Sequence, residues 1–326
     1  MKNEAASLMK NEKLMKIFAV AKINRNYSLF TIHYSFLIPH TFRRLPCGHE
    51  LLYDRRIKMN FVCPKCRLAL SSSGGALRCE NNHTYDVARQ GYVNLLLSCG
   101  GIHGDNREMV EARRDFLDTG AYLPLAEKLA ELAKRHFCGT RILDIGCSEG
   151  YYTDHILRAL SNEQVELSAF DISRDAVKLA ARRNRGISLA VASAYDMPIS
   201  DGGVDMVFNM FSPLCEKEVW RALRDGGIFI MAVPGEEHLF GLKSVAYRDP
   251  YKKELLDPEL SGFSLLESER VRYTLTLDSK EKIRALFMMT PYAYRTSEEG
   301  RERVFSLDSL VTEVDFVVFV YKKQPL

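Results

Sequence analysis

Residues 141–150 read Arg141-Ile142-Leu143-Asp144-Ile145-Gly146-Cys147-Ser148-Glu149-Gly150, and this stretch decides the fold. A short apolar run meets a glycine turn, and residues 151–160 continue at helical spacing. Strand, glycine turn and helix open a doubly wound nucleotide-binding sheet. The glycines also discriminate between cofactors. A dinucleotide site wants Gly-x-Gly-x-x-Gly, so that a pyrophosphate can reach the helix N-terminus. Here Ser148 stands between Gly146 and Gly150, and Asp144 closes the strand. A carboxylate there repels a pyrophosphate and suits the ammonium of a methionine moiety. The next apolar run, residues 165–170, ends in Asp171, an acid placed to accept hydrogen bonds from both hydroxyls of a ribose. Either acid alone reads equally well as a cap. The pair, at this spacing, favours S-adenosylmethionine.

Working outward, residues 123–137 have helical spacing and stop near Cys138-Gly139. Downstream, residues 189–192 read as a third strand whose loop sets Ala194 against an adenine. A fourth strand, 204–208, leads into Asn209 and Ser212, which are expected to orient the edge of a target base. A helix ending at 220–223 turns through Asp225-Gly226-Gly227 into a fifth strand, 228–233. His238 follows it. Two further strands (270–277 and 315–321) flank a helix at 280–289. The expected architecture is α/β: a seven-stranded Rossmann-like class I methyltransferase sheet closed by a terminal hairpin, with a small zinc-binding β module ahead of it.

That module is read from Cys63-Pro-Lys-Cys66, twelve intervening residues, and Cys79-Glu-Asn-Asn-His83. Cys-x2-Cys and Cys-x3-His knuckles complete a tetrahedron about Zn²⁺. Four protein ligands leave no position for water, so the site is structural. The Ser71–Gly75 run between the knuckles reads as a turn joining short strands. Residues 85–95 alternate aromatic and polar side chains. They read equally as a base-stacking surface or as a strand seating the module on its neighbour.

Net charge does not identify a nucleic-acid binder here. The formal +3 divides into 11 Lys/Arg against 4 Asp/Glu over residues 1–58 and 34 against 38 over the remainder, so any RNA surface must be a local patch. No run of about 18 apolar residues exists, which argues against a membrane span. Eight cysteines, three of them in the metal cluster and the rest scattered, suit a reducing cytoplasm. Residues 1–58 read as an extension, either disordered or not part of the native product. A basic, acid-poor segment also fits an organelle transit peptide. Cys47 and His49 read as tail residues rather than extra metal ligands, and His103 reads as a loop residue, with a role at the substrate cleft as the alternative.

Together these residues resemble the bacterial 23S rRNA guanine-N1 methyltransferases. The resemblance runs from about Met59 to the C-terminus. It is carried by the Cys63/Cys66/Cys79/His83 spacing, Gln90-Gly-Tyr-Val-Asn-Leu-Leu96, Glu108-Met-Val-Glu-Ala-Arg-Arg-Asp-Phe-Leu117, Leu143-Asp-Ile-Gly-Cys147, Glu149-Gly-Tyr-Tyr-Thr153 and Met289-Thr-Pro-Tyr-Ala-Tyr-Arg295. The combination of zinc ligands with Gly-Tyr-Val-Asn-Leu is specific, whereas the cofactor loop alone is shared by many unrelated enzymes. The resemblance implies zinc at Cys63, Cys66, Cys79 and His83. It also implies cofactor contacts at Tyr122, Tyr152, Thr153, Asp171 and His238, beside Asp144, Gly146, Gly150 and Ala194 from the motif itself. It further implies methylation of N1 of a guanine in a hairpin loop of 23S rRNA, pairing as a homodimer, and macrolide resistance in some members. Three features depart from the pattern: Ser148 replaces a glycine, the Gly100-Gly101 linker is short, and residues 1–58 match nothing.

The expected organisation is an extension (1–58), a zinc module (59–98), a linker and helix (99–121) and a catalytic domain (122–326). Arg113 and Arg114 on that helix are candidates for phosphate contacts or, equally, for a solvated face. Phe211, Tyr292 and Tyr294 are candidates for stacking, against the commoner reading of core packing. Cys215 reads as an ordinary thiol, since N1 methylation needs no covalent adduct. No convincing proton acceptor for the guanine emerges. The rival readings are a small-molecule methyltransferase of the same fold and a non-catalytic RNA-binding protein.

Overall fold

The computed structural model describes residues 61–97, 104–160, 164–252 and 258–325. These all belong to one compact unit, Asp54–Leu326. The extension 1–58, with Cys47 and His49, and the linker His103 lie outside the described residues.

The ribbon comes first: β1 (Ser71–Ser73), β2 (Ala76–Arg78) and β3 (Thr84–Asp86) form an antiparallel three-stranded sheet. Ser73 pairs with Ala76, so Gly74 and Gly75 alone make the hairpin turn. Both have positive φ (57° and 85°), which matches the twist of a two-residue turn and is cheap only for glycine.

Strand β4 (Tyr92–Asn94) then leaves the ribbon, and two helices follow, α1 (Arg107–Leu117) and α2 (Leu123–His136). Asn106 caps α1 by accepting from the Met109 amide at 3.0 Å. The alternation expected of a doubly wound sheet begins with β5 (Arg141–Ile145), α3 (Tyr151–Ala159), β6 (Glu166–Asp171), α4 (Arg174–Arg183), β7 (Ser188–Val191) and β8 (Val204–Met210). It continues through α5 (Glu216–Ala222), β9 (Leu223–Pro234) and α6 (Phe240–Ala246). After β10 (Phe263–Leu277) come α7 (Lys280–Met288), α8 (Tyr292–Arg295), α9 (Glu298–Phe305) and β11 (Leu310–Lys323).

The large sheet runs β10-β11-β9-β8-β5-β6-β7-β4, antiparallel only where β11 meets β10 and β9. Seven of these strands are the expected class I methyltransferase sheet. The eighth, β4, was not in that count. It pairs in parallel with β7, Tyr92 opposite Leu189, because the edge of β7 would otherwise leave backbone groups unpaired. Tyr92 and Val93 are buried, so this part of residues 85–95 is a seating strand and offers no stacking face.

One core layer packs α2 and α3 against the sheet. On the opposite face, ribbon residues Phe61, Leu70, Leu77 and Val93 share a core with Leu143, Phe170, Ala190 and Met197. Each such side chain contributes about 1.5–3 kcal/mol when fully buried. Few belong to the ribbon, so it depends on metal and on this seat.

Candidate functional site

Cys63, Cys66, Cys79 and His83 bring their ligand atoms within 4.8 Å of one another. Cys63 Sγ and Cys79 Sγ lie 3.4 and 3.5 Å from His83 Nδ1, and Cys66 Sγ lies 3.7 Å from Cys79 Sγ. A tetrahedron with Zn–S bonds of about 2.3 Å has edges of roughly 3.8 Å, so the donor set fits zinc. Tyr85 reaches Cys63 Sγ at 3.1 Å, an outer hydrogen bond of the kind that orients metal ligands. Burial pushes the Cys63 thiol up, but the bond from Tyr85 and backbone amides of Lys65 and Cys66 outweigh it and bring the thiol down to about 6. The Val62 amide donates to the Pro198 carbonyl at 2.9 Å, and Arg67 pairs with Asp196 beyond β7. The metal cluster is thereby fixed to the loop that carries Ala194.

The second cluster lies at the C-terminal ends of β5 and β6, which pair Asp144 with Ala169 in neighbouring register. Asp144 is 1% exposed. Its Oδ2 accepts from Thr153 Oγ1 at 2.5 Å, while its Oδ1 has no partner among the described residues. Burial raises its carboxyl to about 7; Thr153 opposes the shift, and the Asp171 charge adds to it. Asp171 accepts from the Ser148 amide at 2.9 Å and from the Ser173 amide at 2.7 Å, one bond per oxygen, which leaves lone pairs on both. Burial raises its pKa too, against those two amides. The two acids therefore stand at adjacent strand tips, near enough for the charge of Asp171 to raise Asp144, with one oxygen orphaned among the described residues.

The loop between them is shaped by its glycines. A Cβ on Gly146 (φ 68°) would lie 2.3 Å from Ser212 Cβ, so only glycine lets the loop pass under the tip of β8. Gly150 (φ 83°) is the N-cap of α3, where an added Cβ would lie 3.1 Å from Ala180 Cβ. Ser148 also has positive φ, 49°, where a side chain is strained. Its hydroxyl accepts from Arg113 Nη1 at 2.7 Å. Arg113 also donates to the Met289 carbonyl at 3.1 Å and pairs with Asp105 at 2.6 Å. This corrects the phosphate role expected of Arg113, because its guanidinium is committed inward. Arg114 is paired with Asp115 at 2.6 Å. Nothing in the sequence near Arg113 signals this lock, since Ser148 lies 35 positions away.

An aromatic cluster starts at Tyr152, next in sequence to the Thr153 that bonds Asp144. Phe316 packs against Tyr122 (centroids 5.0 Å apart), Phe211 (5.1 Å) and His238 (4.4 Å), and Tyr152 faces Phe211 at 6.2 Å. The Tyr122 hydroxyl is buried without a partner among the described residues. The Asp315 amide donates to His238 Nδ1 at 3.3 Å, leaving Nε2 to carry the proton. Burial lowers His238 to about 3, so the ring is neutral and a poor proton acceptor. Nothing in the sequence singles out Phe316, whose alternation in β11 is that of any core residue.

At the tip of β8, Asn209 is buried with Nδ2 3.4 Å from the Pro213 carbonyl, and Ser212 Oγ donates to the Ile145 carbonyl at 3.0 Å. Both brace the loop. Phe211, between them, is 43% exposed at φ 60°, a strained conformation for an aromatic residue. Tyr294 is exposed and its hydroxyl accepts from Asn106 at 2.8 Å, whereas Tyr292 is half-buried against Tyr247. Cys215 is half-buried at the start of α5.

A family model described as RlmA, N-terminal, a zinc ribbon, matches residues 61–97, and a methyltransferase-domain model matches residues 142–227. A Streptomyces fradiae protein named 23S rRNA (guanine(748)-N(1))-methyltransferase is 36% identical over 76% of this chain and 91% of its own length. A Bacillus subtilis (strain 168) protein, YxjB, provisionally named a 23S rRNA (guanine-N(1)-)-methyltransferase, is 29% identical over 81% of this chain and 97% of its own. Among solved structures, Haemonchus contortus phosphoethanolamine N-methyltransferase 2 is 18% identical, covers 68% of this chain and 61% of its own, and has a TM-score of 0.39.

Proposed function

The chain belongs to the 23S rRNA (guanine-N1)-methyltransferase family, and on that premise we propose that it transfers a methyl group from S-adenosylmethionine to N1 of a guanine in a hairpin loop of 23S rRNA. The observation that carries this reading is the pair of carboxylates at adjacent strand tips in a chain that also holds the family's zinc ribbon. The cofactor supplies an electrophilic methyl on a sulfonium.

The protein's own residues do the rest. Asp144, with its orphaned oxygen, receives an ammonium, and Thr153 holds its other oxygen in place. Asp171 receives ribose hydroxyls and the Ser193–Asp196 turn, with Ala194, borders the base. Gly146 and Gly150 let the loop approach closely. Tyr122, Tyr152, Phe316 and the neutral His238 line a dry wall, which excludes water from an in-line displacement whose rate depends on geometry. Phe211 is the exposed face at the strand tip on which a flipped guanine stacks, and Asn209 and Ser212, which brace the loop, are the residues that would orient the base edge. The N1 proton leaves to solvent or to a group on the RNA, because no described side chain in the crevice suits the task.

The finer points of this reading are a homodimer, a cytoplasmic setting, and a division into extension 1–58, zinc module 59–98, connecting segment 99–121 and catalytic domain 122–326. Among the described residues, no helix is long and apolar enough to cross a membrane. The test is transfer of labelled methyl from S-adenosylmethionine to purified 23S rRNA, followed by digestion to nucleosides. The expected product is 1-methylguanosine. Label in another nucleoside, or none, overturns the proposal.

A further inference from the structure

With Arg113 and Arg114 committed to Ser148, Asp105 and Asp115, phosphate binding needs another surface. Residues 174–185 hold five basic side chains and one acid, in a region from residue 59 onward that is otherwise net acidic. The basic residues of α4 and its exit turn are not used alike. Arg183 points inward and pairs with Glu149 at 3.1 Å and Asp118 at 2.9 Å. Arg174, Arg182 and Arg185 are exposed and Lys178 half-buried, and none of the four makes an ion pair among the described residues.

Arg174, Lys178 and Arg182 recur every four residues, so they stand on one side of the helix about 6 Å apart along its axis. Like charges at that spacing destabilise a helix, and a cation at position 174 also opposes the helix dipole. A polyanion lying along this face removes both costs. The face is joined to the zinc ribbon: Arg174 Nε donates to the Tyr92 hydroxyl at 3.2 Å, and the turn entering β4 carries the exposed Arg89. Ala176, Val177, Ala180 and Ala181 face the core, and the remaining apolar residue, Leu179, is half-buried beside Arg182 and Arg183, so the outer face offers no apolar row to insert into lipid.

We propose that the outer face of α4, with Arg89 of the ribbon, is the track on which the phosphate backbone of the substrate RNA lies. The inference rests on the functional reading above and assigns its RNA-positioning surface. Phosphate contacts fix register without reading sequence, and here they hold the RNA across the ribbon and the sheet edge that it covers.

The test uses the full zinc-loaded chain and a transcribed fragment of 23S rRNA, with binding followed by fluorescence anisotropy over a salt series. The Lys178→Gln/Arg182→Gln/Arg185→Gln variant is expected to lower the slope of log affinity against log salt by about 2 to 3, which is about a hundredfold near physiological salt. Its affinity for S-adenosylmethionine, measured by calorimetry, stays at the wild-type value. Arg182→Lys with Arg185→Lys keeps the wild-type slope. An unchanged slope in the glutamine variant, an equal loss in the lysine variant, or a loss seen with anionic phosphatidylserine vesicles in place of RNA overturns the proposal. Because the readout is binding, a protein that gripped RNA through this face without methylating it would fail the functional reading and keep the surface. A methylating protein with an unchanged slope does the reverse.

Discussion

At the scale of single residues, two side chains set the behaviour of the crevice. Ser148 occupies a left-handed position that costs an L-residue about 1–2 kcal/mol, and its bond from Arg113 offsets part of that cost. Ser148→Ala keeps the strain and loses the bond, so it lowers stability by about 1 kcal/mol. Ser148→Gly loses both and is expected to be about 1 kcal/mol more stable than the alanine variant. Denaturant unfolding of the two variants checks the order. Asp144 sets a pH dependence. Its folded-state carboxyl is raised from 3.8 to about 7, so the folded state holds the proton more tightly than the unfolded chain. Ligand-free stability therefore falls as pH rises through that window. Cofactor affinity moves the other way, rising through about pH 7 as Asp144 ionises, and falling above about pH 8 as the ligand's own ammonium deprotonates. Calorimetry across pH checks this. Asp144→Asn is expected to abolish the rising limb, and its persistence would separate Asp144 from the ammonium.

At the scale of elements, the zinc ribbon behaves as part of the large sheet. Its strand β4 pairs with β7, and Phe61, Leu70 and Leu77 share a core with β5 and β6. Cys79→Ser is expected to abolish the one zinc per chain, measured by atomic absorption, and to lower the melting temperature of the whole unit, because the edge of β7 is then uncovered. A zinc-free variant melting at the wild-type temperature would mean that the ribbon contributes nothing to the sheet. The elements were largely legible in the sequence. Glycine punctuation and apolar runs located β5, α3, β6 and the later alternation, and Cys-x2-Cys with Cys-x3-His located the metal. Strand β4 was ambiguous because alternation in residues 85–95 gives the same pattern whether the aromatic face meets RNA or a neighbouring strand. The lock between Arg113 and Ser148, and the Phe316 wall, were illegible for another reason. They join residues far apart in sequence, and local periodicity carries no trace of such contacts.

In the whole molecule, ribbon, sheet and strand tips belong to one compact unit. A metal-fixed ribbon covers the edge of the sheet, the strand tips of that sheet hold two carboxylates, and Phe211 stands exposed where β8 ends. Asp144, Asp171 and the ribbon ligands were readable as residue types, whereas His238 and Tyr122 entered through the family resemblance and only the fold brought them to the same wall. The basic face of α4 emerged only when the structure showed which arginines are already spent. The most direct measurement is reverse transcription across 23S rRNA from cells with and without this protein. Methylation at N1 blocks Watson–Crick pairing, so the account predicts one arrest at a hairpin-loop guanine that disappears when the protein is absent. Identical extension products from both sources would contradict it.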